Sequence, residues 1–569
     1  MRFKNTALLY SKMSDIYAEL LSVLKTNPQA KTFERIKVEL AKKFNVKKIP
    51  SMIDILLHAS PDEIKTLNLV TKPIRTLSGV VPVAIMTKPA SCPHGRCTYC
   101  PGGLNSIFGD VPQSYTGHEP ATMRGIRNNY DAYLQVFNRL EQYIILGQSV
   151  DKAEVIVMGG TFLAMPKEYK ESFIKDTFRA MNDFSQIFFK EDNFDILKFK
   201  EFFELPGIVG NKERAERIHK KLYKLKGNSS LDEEKAKNEF AKVRCIGLTI
   251  ETKPDFGMLE HGNEMLNYGC TRVELGVQSV YEDVIQAVHR GHTVADSIKS
   301  LQILKDLGFK INAHYMPGLP FTDKKRDLSG MKQLFDNSDF RPDMLKIYPC
   351  MVSKGTKLYE DYEAKKFVPL STDDAAELIA EFKKFVPEYC RIQRIQRDVP
   401  TKFWDGGVGI TNLRQYIHEK FKPACKCIRC REPKGKKISW DDVKIITREY
   451  EASKGTEFFI SAEDTKNDII LGFCRLRKPS ACLRKEITPN TTIIRELHVY
   501  GSAVSVGEES KGNVQHKGLG KKLLAEAEKL AVKKFNADKM MVISGIGVRE
   551  YYKKLGYQND GLYVSKKLK

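Results

Sequence analysis

The sequence is poor in the features that mark secreted and membrane proteins. No apolar run approaches the roughly 18 residues that a membrane-spanning helix needs, and the N-terminus lacks a signal-peptide core. Cysteine is limited to 12 of 569 residues. Half of these cysteines lie in two short clusters, which indicates metal sites in a reducing compartment and not a disulfide framework. These absences predict a cytoplasmic protein with no membrane segment.

Acidic residues are too few to balance the basic ones. Lys and Arg number 93 against 71 Asp and Glu, which gives a formal net charge of +22 and a pI near 9.2. Such an excess favours a polyanionic partner, with solvated lysine-rich faces as the alternative. A length of 569 residues predicts three or four domains, since single hydrophobic cores stop growing at about 300 residues.

The strongest candidate for a metal site is one short loop that contains three cysteines. Cys92, Cys97 and Cys100 follow a C-x4-C-x2-C spacing directly after the apolar run 80–86. Thiolates are the soft ligands that iron–sulfur clusters require, and three of them leave one iron of a four-iron cluster open to a small molecule. A zinc loop or buried thiols are the alternatives.

From residue 80, short β-rich runs alternate with amphipathic segments, which predicts an α/β fold with a parallel array, either an open barrel or a doubly wound sheet. The predicted strands are Val80–Met86, Val155–Met158, Cys245–Ile250, Val273–Val277, Lys310–Met316 and Met344–Tyr348. The predicted helices between them are Arg124–Leu146, Lys167–Met181, Met258–Tyr268, Val294–Leu307 and Lys324–Phe335. Residues 1–75 predict a basic helical module, and residues 183–240 a charged insertion without assigned chemistry.

Polar residues and glycines cluster where these strands end. Functional groups of parallel βα arrays lie at the carboxyl ends of the strands. We therefore expect one mouth to collect the cysteine loop and eight further residues. They are Gly159, Gly160, Thr161, Glu251, Lys253, Glu274, Gln278 and Lys346.

Two more segments follow the array. Arg391, Arg394 and Arg397 recur at every third residue and form a basic stripe suited to RNA phosphates, with an ion-paired solvent face as the alternative. Three further thiols, with His418 as the nearby histidine, predict a structural zinc site. They are Cys425, Cys427 and Cys430. A redox site or a second cluster is the alternative.

Residues 438–569 show a different order of predicted strands and helices. The predicted strands are Ile469–Leu476, Thr492–Tyr500 and Lys539–Ile543, and the predicted helices are Leu519–Lys533 and Val548–Leu555. A glycine-containing loop precedes the first helix, where exposed backbone N–H groups and the helix dipole favour a pyrophosphate. Its residues are Gln515, His516, Lys517, Gly518, Leu519 and Gly520.

These motifs resemble two enzyme families. The cysteine loop, Gly159–Thr161 and the βα units are similar to radical SAM enzymes, and the C-terminal segment resembles a GNAT-type N-acetyltransferase. The combination resembles the catalytic subunit family of Elongator, in its stand-alone archaeal form. This resemblance implies a helical N-terminal extension (1–75), a partial (β/α)6 radical SAM barrel (76–390), a basic and zinc-binding linker (391–437) and a GNAT-type domain (438–569).

The resemblance also implies roles for residues. Cys92, Cys97 and Cys100 would hold a [4Fe–4S] cluster that binds S-adenosylmethionine, together with Gly159, Gly160, Thr161, Glu251, Glu274 and Gln278. Acetyl-CoA would lie on Gln515–Gly520 near Tyr552, and the catalytic candidates are Tyr551, Tyr552 and Lys253. A tyrosine can hydrogen-bond the CoA sulfur or donate a proton, although core packing explains such a pair equally well.

The implied activity is a tRNA modification. A radical derived from S-adenosylmethionine would take a hydrogen from the methyl group of acetyl-CoA, and the resulting carbon radical would add to C5 of the wobble uridine in the anticodon stem-loop. Hydrolysis of the thioester would then release CoA and leave 5-carboxymethyluridine. The alternatives are a protein lysine acetyltransferase with a structural cluster and a non-catalytic tRNA-binding scaffold. A homodimer and accessory subunits remain open.

Overall fold

Two seven-stranded sheets organise the chain, one before and one after residue 440. The computed structural model describes residues 15–26, 30–46, 49–50, 52–60, 62–63, 79–191, 193–207, 211–500 and 518–569. In these residues no helix is long and apolar enough to cross a membrane.

The first sheet is entirely parallel. Its strands are β1 (Val80–Met86), β2 (Lys152–Met158), β3 (Arg244–Thr252), β4 (Arg272–Gln278), β5 (Lys310–Tyr315), β6 (Met344–Ile347) and β7 (Arg391–Ile395). Neighbours in the sheet are also neighbours in the sequence, so the strand order never reverses as it does in a doubly wound sheet. The predicted partial barrel is confirmed, and β7 adds a seventh strand that the sequence analysis missed.

Helices connect these strands. They are Pro120–Arg127, Ala132–Ile145, Lys167–Phe188, Ile196–Phe202, Lys212–Leu225, Leu231–Asn238, Leu259–Asn267, Glu282–Ala287, Val294–Asp306, Lys324–Asp336, Lys357–Glu363 and Thr372–Lys383. The prediction of a single helix from 124 to 146 is wrong. The chain breaks at Asn129 and Tyr130, whose φ angles are 52° and 54°, and Asp131 then caps a new helix by accepting a hydrogen bond from Leu134 N.

The described part of the N-terminal segment is helical, as predicted. It contains residues 15–25 and the helices Ala30–Lys43 and Met52–His58. Ile16, Leu20 and Ile55 are fully buried in a small core of their own. Two hydrophobic faces therefore meet in this segment, which stabilises it apart from the large core of the parallel sheet.

The second sheet is mixed. Its strands are β8 (Val443–Ala452), β9 (Gly455–Asp464), β10 (Ile469–Lys478), β11 (Thr491–Val499), β12 (Lys539–Val542), β13 (Gln558–Asp560) and β14 (Tyr563–Lys567). The accompanying helices are Leu413–Phe421, Ile428–Arg431, Leu519–Phe535 and Arg549–Lys553. β11 and β12 pair in parallel only as far as Ile494 and Val542, so the two strands part while β11 continues to Val499.

The two sheets are joined by buried ion pairs. Arg495 of β11 donates from Nη1 and Nη2 to the two carboxylate oxygens of Asp343 at 2.8 and 2.6 Å. Arg477 of β10 donates to Asp306 Oδ1 at 2.6 Å, and both arginines also contact Glu457 at 2.9 Å. All five side chains are completely buried. Because a buried charge needs its partner, neither sheet can lose the other without a large cost in free energy.

The backbones also touch directly. A Cβ atom on Gly545 would lie 2.1 Å from the carbonyl oxygen of Ile246 in β3, and one on Gly547 would lie 2.5 Å from Arg244 Cβ. Only glycine permits this approach, so the loop after β12 packs against the edge of β3 without an intervening side-chain layer.

Candidate functional site

A cavity of about 1120 Å³ lies inside the curve of the parallel sheet and is lined by residues from all seven strands, β1 to β7. It reaches Cys92 of the cysteine loop at one side and Cys430 of the linker at the other. Among the predicted site residues it brings together Gly160, Thr161, Glu251, Lys253, Glu274, Gln278 and Lys346, with Arg394, Arg397 and His418. The cavity is therefore shared by groups from the barrel and the linker.

The cysteine loop is surrounded by hydrogen-bond donors and cations. Arg290 Nη1 lies 3.6 Å from Cys97 Sγ, and the backbone N–H of Ser114 donates to Cys100 Sγ at 3.2 Å. Cys92 Sγ lies 3.4 Å from the Thr161 hydroxyl oxygen. Burial raises the pKa of Cys100 to about 11. Nearby positive charge and N–H donors act against this effect of burial and favour the thiolate, which is the state that binds iron.

Lys253 lies beside this loop. Its ammonium group is 3.0 Å from His94 Nδ1 and 3.2 Å from Asp255 Oδ2, and His94 Nε2 in turn is 3.3 Å from Cys97 Sγ. Burial and the nearby Lys253 charge lower the pKa of His94 to about 4. His94 is thus a neutral imidazole between a lysine and a thiol.

Carboxylates and a lysine meet deeper in the cavity. Lys346 forms an ion pair with Glu274 and lies 3.6 Å from Glu251, while His314 Nε2 is 3.0 Å from Glu274 Oε2. Tyr115 donates to Glu251 at 2.9 Å. Burial alone would raise the pKa of Glu274, but the Lys346 and His314 groups hold it well below its usual range. The Glu251, Glu274 and His314 ligand atoms could hold a metal ion by spacing, but the ammonium of Lys346 already supplies that positive charge.

Glycine is required at the turn after β2. Gly159 has a φ of 119°, and a Cβ there would lie 2.3 Å from Thr87 Oγ1. The next strand-end group of interest is Gln278, whose side-chain Oε1 is buried without a hydrogen-bond partner among the described atoms. An unsatisfied acceptor at the cavity wall is the kind of group that a polar ligand completes.

The loop after β5 is held by a carboxyl group with a raised pKa. Asp327 Oδ2 accepts from the backbone N–H of Gly318 at 2.7 Å and from Thr322 Oγ1 at 3.1 Å, and burial raises its pKa to about 6. The folded state therefore binds this proton more tightly than the unfolded state, and stability is lost as the pH rises from about 4 to about 6.

Asp327→Asn should remove this loss, because the amide keeps both hydrogen bonds and does not ionise. We expect the variant to gain about 2–3 kcal/mol over the wild type between pH 4 and pH 7, at about 1.4 kcal/mol per pKa unit. Urea unfolding of both chains across this range measures the difference. A difference that stays constant with pH would contradict the assignment.

The three arginines of the predicted stripe differ in their surroundings. Arg391 donates to Glu432 Oε1 at 2.9 and 2.7 Å and also hydrogen-bonds Tyr500, so it faces the linker and the second sheet. Arg394 pairs with Asp398, and Arg397 donates to the carbonyl of Ser114 beside the cysteine loop. Arg394 and Arg397 line the cavity, whereas Arg391 does not.

The second cysteine group is compact. The Sγ atoms of Cys425, Cys427 and Cys430 all lie within 4.8 Å of one another. The thiol of Cys425 hydrogen-bonds Cys427, which holds the pKa of Cys427 well below its usual range. His418 is not in this group among the described residues, because its Nε2 lies 2.8 Å from Lys383 Nζ.

The C-terminal module places its glycine loop at a helix N-terminus. Gly518 is the N-cap of helix Leu519–Phe535 with a φ of 71°, while Gln515, His516 and Lys517 lie outside the described residues. A Cβ on Gly520 would lie 3.0 Å from the hydroxyl of Tyr551, which is 38 % exposed. Tyr552 is buried in the core of the second sheet, at 6 % exposure. The two neighbouring tyrosines therefore have different environments.

Sequence reasoning missed three groups that the cavity contains. His314 lies in a correctly predicted strand, so its position at the strand end was available as a signal. Tyr115 and Arg290 lie in loops with no periodicity or motif. Nothing in the sequence relates them to Glu251 or to Cys97, because these contacts span 136 and 193 residues.

Four protein-family models match consecutive segments of the chain. The ELP3 N-terminal domain matches residues 10–77, the Radical SAM superfamily residues 88–328, the Radical SAM C-terminal domain residues 342–422 and the acetyltransferase (GNAT) family residues 421–557.

Individual relatives match nearly the whole chain. A tRNA uridine(34) acetyltransferase of Methanocaldococcus jannaschii is 45% identical over 91% of this chain and 90% of its own length. Elongator complex protein 3 of Saccharomyces cerevisiae is 40% identical over 93% of this chain and 90% of its own length. The solved structure of archaeal Methanocaldococcus infernus Elp3 with an N-terminal deletion matches with a TM-score of 0.70 and 38% identity, over 86% of this chain and 99% of that one.

Proposed function

Because this chain belongs to the Elongator complex protein 3 family, in which a radical SAM unit and a GNAT acetyltransferase unit share one polypeptide, we propose that it modifies the wobble uridine of tRNA. It uses S-adenosylmethionine and acetyl-CoA, and the product is 5-carboxymethyluridine. One observation carries this proposal: a single cavity of about 1120 Å³ contains the first cysteine of the cluster loop, the strand-end polar groups and two arginines of the basic stripe, Arg394 and Arg397.

We propose that Cys92, Cys97 and Cys100 hold a [4Fe–4S] cluster. Three thiols suit it because a fourth iron then stays open for S-adenosylmethionine. The guanidinium of Arg290 supplies positive charge beside these thiolates. It is buried, and its Nε has no hydrogen-bond partner among the described atoms. When bound, the cluster supplies the electron that cleaves S-adenosylmethionine.

The strand-end residues would bind and orient S-adenosylmethionine. Gly160 lines the cavity and lets the backbone approach a ligand closely, while Gly159 shapes the same turn through its contact with Thr87. Thr161, Glu251, Glu274 and Gln278 present polar atoms to the cavity. The charge of Lys346 is fixed between Glu274 and Glu251, so it holds both carboxylates in place. We assign Lys253 to the substrate side of the cluster loop, where it keeps His94 neutral.

Acetyl-CoA would bind along the open edge of β11. The strand has no partner in β12 after Ile494, so its backbone groups are available to a pantetheine chain, and Gly518 and Gly520 expose N–H groups for the pyrophosphate. We include Gln515, His516, Lys517 and Leu519 in this loop. Of the two tyrosines, the half-exposed Tyr551 beside Gly520 suits the thioester, and Tyr552 supports it from the core.

Arg394 and Arg397 would contact RNA phosphates at the cavity, while Arg391 anchors the linker through Glu432. A single-stranded anticodon loop can present its base to such a cavity at small cost, since its bases are not paired. The formal charge of +22 favours this polyanionic partner.

We further propose that Cys425, Cys427 and Cys430 bind zinc. Their compact arrangement suits one ion with sulfur ligands, and His418 becomes a fourth ligand only if it leaves Lys383. The chain then divides into an N-terminal extension at 1–75, the barrel at 76–390, the linker at 391–437 and the acetyltransferase domain at 438–569, except that β7 (Arg391–Ile395) pairs with β6 and therefore belongs to the sheet of the barrel. Metal analysis of the wild type and Cys427→Ser tests the site: equal zinc content would refute it.

All twelve cysteines are unpaired. Free thiols in this number suit a reducing compartment, so we place the enzyme in the cytoplasm.

Anaerobic reconstitution with iron and sulfide, followed by incubation with tRNA, S-adenosylmethionine and labelled acetyl-CoA, tests the function. Nucleoside mass spectrometry should find the label in 5-carboxymethyluridine. Gly518→Glu should abolish incorporation, because a carboxylate would repel the pyrophosphate at the helix N-terminus. Unmodified uridine with labelled acetyl-lysine would favour a protein acetyltransferase instead, and the absence of both products would favour a tRNA-binding scaffold.

A further inference from the structure

Three aromatic rings meet at the rim of the cavity. The rings of His118 and Phe403 stack in parallel, with centroids 3.8 Å apart and an interplanar angle of 4°, and the Phe108 ring meets both edge-on at 6.2 and 6.4 Å. The three residues come from three separate segments: Phe108 from the hairpin of the short strands Gly103–Ser106 and Gly109–Val111, His118 from the loop before helix Pro120–Arg127, and Phe403 from the turn after β7. We call them the rim platform.

Core packing does not account for the platform. Among the described residues, neither Phe108 nor Phe403 belongs to a hydrophobic core cluster or packs against one. His118 is exposed and Phe403 is only half-buried. Aromatic rings that are at least partly exposed and do not join a hydrophobic core are normally covered by a ligand or a binding partner.

The backbone beneath the platform is fixed. The buried carboxylate of Glu119 accepts from Thr116 N at 2.9 Å and from Thr122 Oγ1 at 3.1 Å, and His118 N donates to Thr116 Oγ1 at 3.4 Å. Phe403 N donates to Pro400 O at 3.1 Å. The ring planes are therefore preorganised, which reduces the entropy cost of stacking a planar ligand on them.

The platform borders the cavity on two sides. Residues 119–121 line the cavity directly after His118, and residues 397–399 line it shortly before Phe403. Cations lie near the platform: Lys402 Nζ is 5.0 Å from the Phe403 ring centroid, and Arg397 is 5.9 Å from the ring of Tyr115. Flat rings and nearby cations are the two elements that bind single-stranded nucleic acid.

We propose that the rim platform is a nucleobase-stacking site that holds the unpaired base next to the target uridine. This inference rests on the proposed function, and it adds the means by which one base is separated from its neighbours. Because His118 and Phe403 cover each other's inner faces, the adjacent base stacks on the outer face of the exposed His118 ring, which Phe403 supports from behind. This stacking fixes the loop at the rim, so that the target base alone continues past Tyr115 into the cavity.

A synthetic anticodon stem-loop with 2-aminopurine on the 3′ side of the target uridine tests this site. Stacking on the platform should quench the fluorescence when the wild type binds. Phe403→Ala and His118→Ala should each abolish the quenching and weaken binding by about 5- to 100-fold. Phe403→Trp should retain both signals, because it keeps a ring. The exposed Phe240, which does not line the cavity, provides the control Phe240→Ala with unchanged binding.

Salt dependence separates stacking from charge. Lys402→Ala should reduce the slope of log affinity against log salt by about one, whereas Phe403→Ala should leave the slope unchanged. Failure of the wild type to bind the stem-loop would refute the proposed function itself. Binding without quenching, or equal affinities of the wild type, Phe403→Ala and His118→Ala, would overturn the platform and leave the proposed function intact.

Discussion

Asp343→Ala is expected to destabilise the protein by about 3–5 kcal/mol, the cost typical of breaking a buried ion pair from one side. Asp343 accepts two hydrogen bonds from Arg495 and one from the backbone N–H of Ile311 at 2.8 Å. Without it, the guanidinium of Arg495 keeps Glu457 as its remaining carboxylate partner and the carbonyl of Phe309 at 2.7 Å, but it loses its charged partner on the side of the parallel sheet. Thermal and urea unfolding measure the effect.

An exposed ion pair supplies the matched control. Glu381 and Lys384 form a contact in which the side chains are 41% and 53% exposed. Glu381→Ala should change the stability by less than about 1 kcal/mol, because water already solvates both charges. Equal effects of the two substitutions would show that the buried network does not hold the sheets together.

Cys97→Ala is expected to abolish the tRNA modification and the iron content of the reconstituted protein. Loss of a partner that merely supports a metal ligand costs about 10- to 100-fold in affinity or activity, so loss of the ligand itself should exceed that. Binding of the stem-loop RNA should remain within about 2-fold of the wild type, because the proposed phosphate contacts are made by Arg394 and Arg397 and not by Cys97. Iron analysis, visible absorption and nucleoside mass spectrometry measure these results.

Cys482 provides the comparison, since it is the exposed cysteine of the chain. Cys482→Ala should keep both iron and activity. Modification activity that survives Cys97→Ala would contradict a catalytic role for the cysteine loop and would favour a metal with a purely structural role.

The parallel sheet was largely predictable because its strands are apolar runs separated by amphipathic helices. β7 was not predicted, because the arginines of Arg391–Ile395 indicate a basic stripe in the sequence, although the structure buries part of this segment as a strand. In the second sheet, β8, β9, β13 and β14 were missed. β8 is mostly solvated, whereas β9 is almost fully buried and carries charged residues such as Glu457 that belong to the ion network between the sheets.

The site was predictable where chemistry is local in sequence. The cysteine spacing and the turn Gly159–Thr161 are contiguous motifs, and the structure places Cys92 and Thr161 3.4 Å apart. The partners of Arg477 and Arg495 could not be predicted, because an arginine in a strand is ordinarily expected to face water. Their pairing with Asp306 and Asp343 exists only once the two sheets are packed together.

The buried ion pairs can form only after both partners have been synthesised, which delays completion of the fold on the ribosome. Asp306 is made 171 residues before Arg477, and Asp343 is made 152 residues before Arg495. At about 5–20 residues per second on the ribosome, the nascent barrel waits about 8–35 s with carboxylates that lack their counter-charges. During that interval the segments just before β5 and β6, which carry Asp306 and Asp343, lack their charged partners, and we expect a chaperone that shields nascent chains to stay bound there longest.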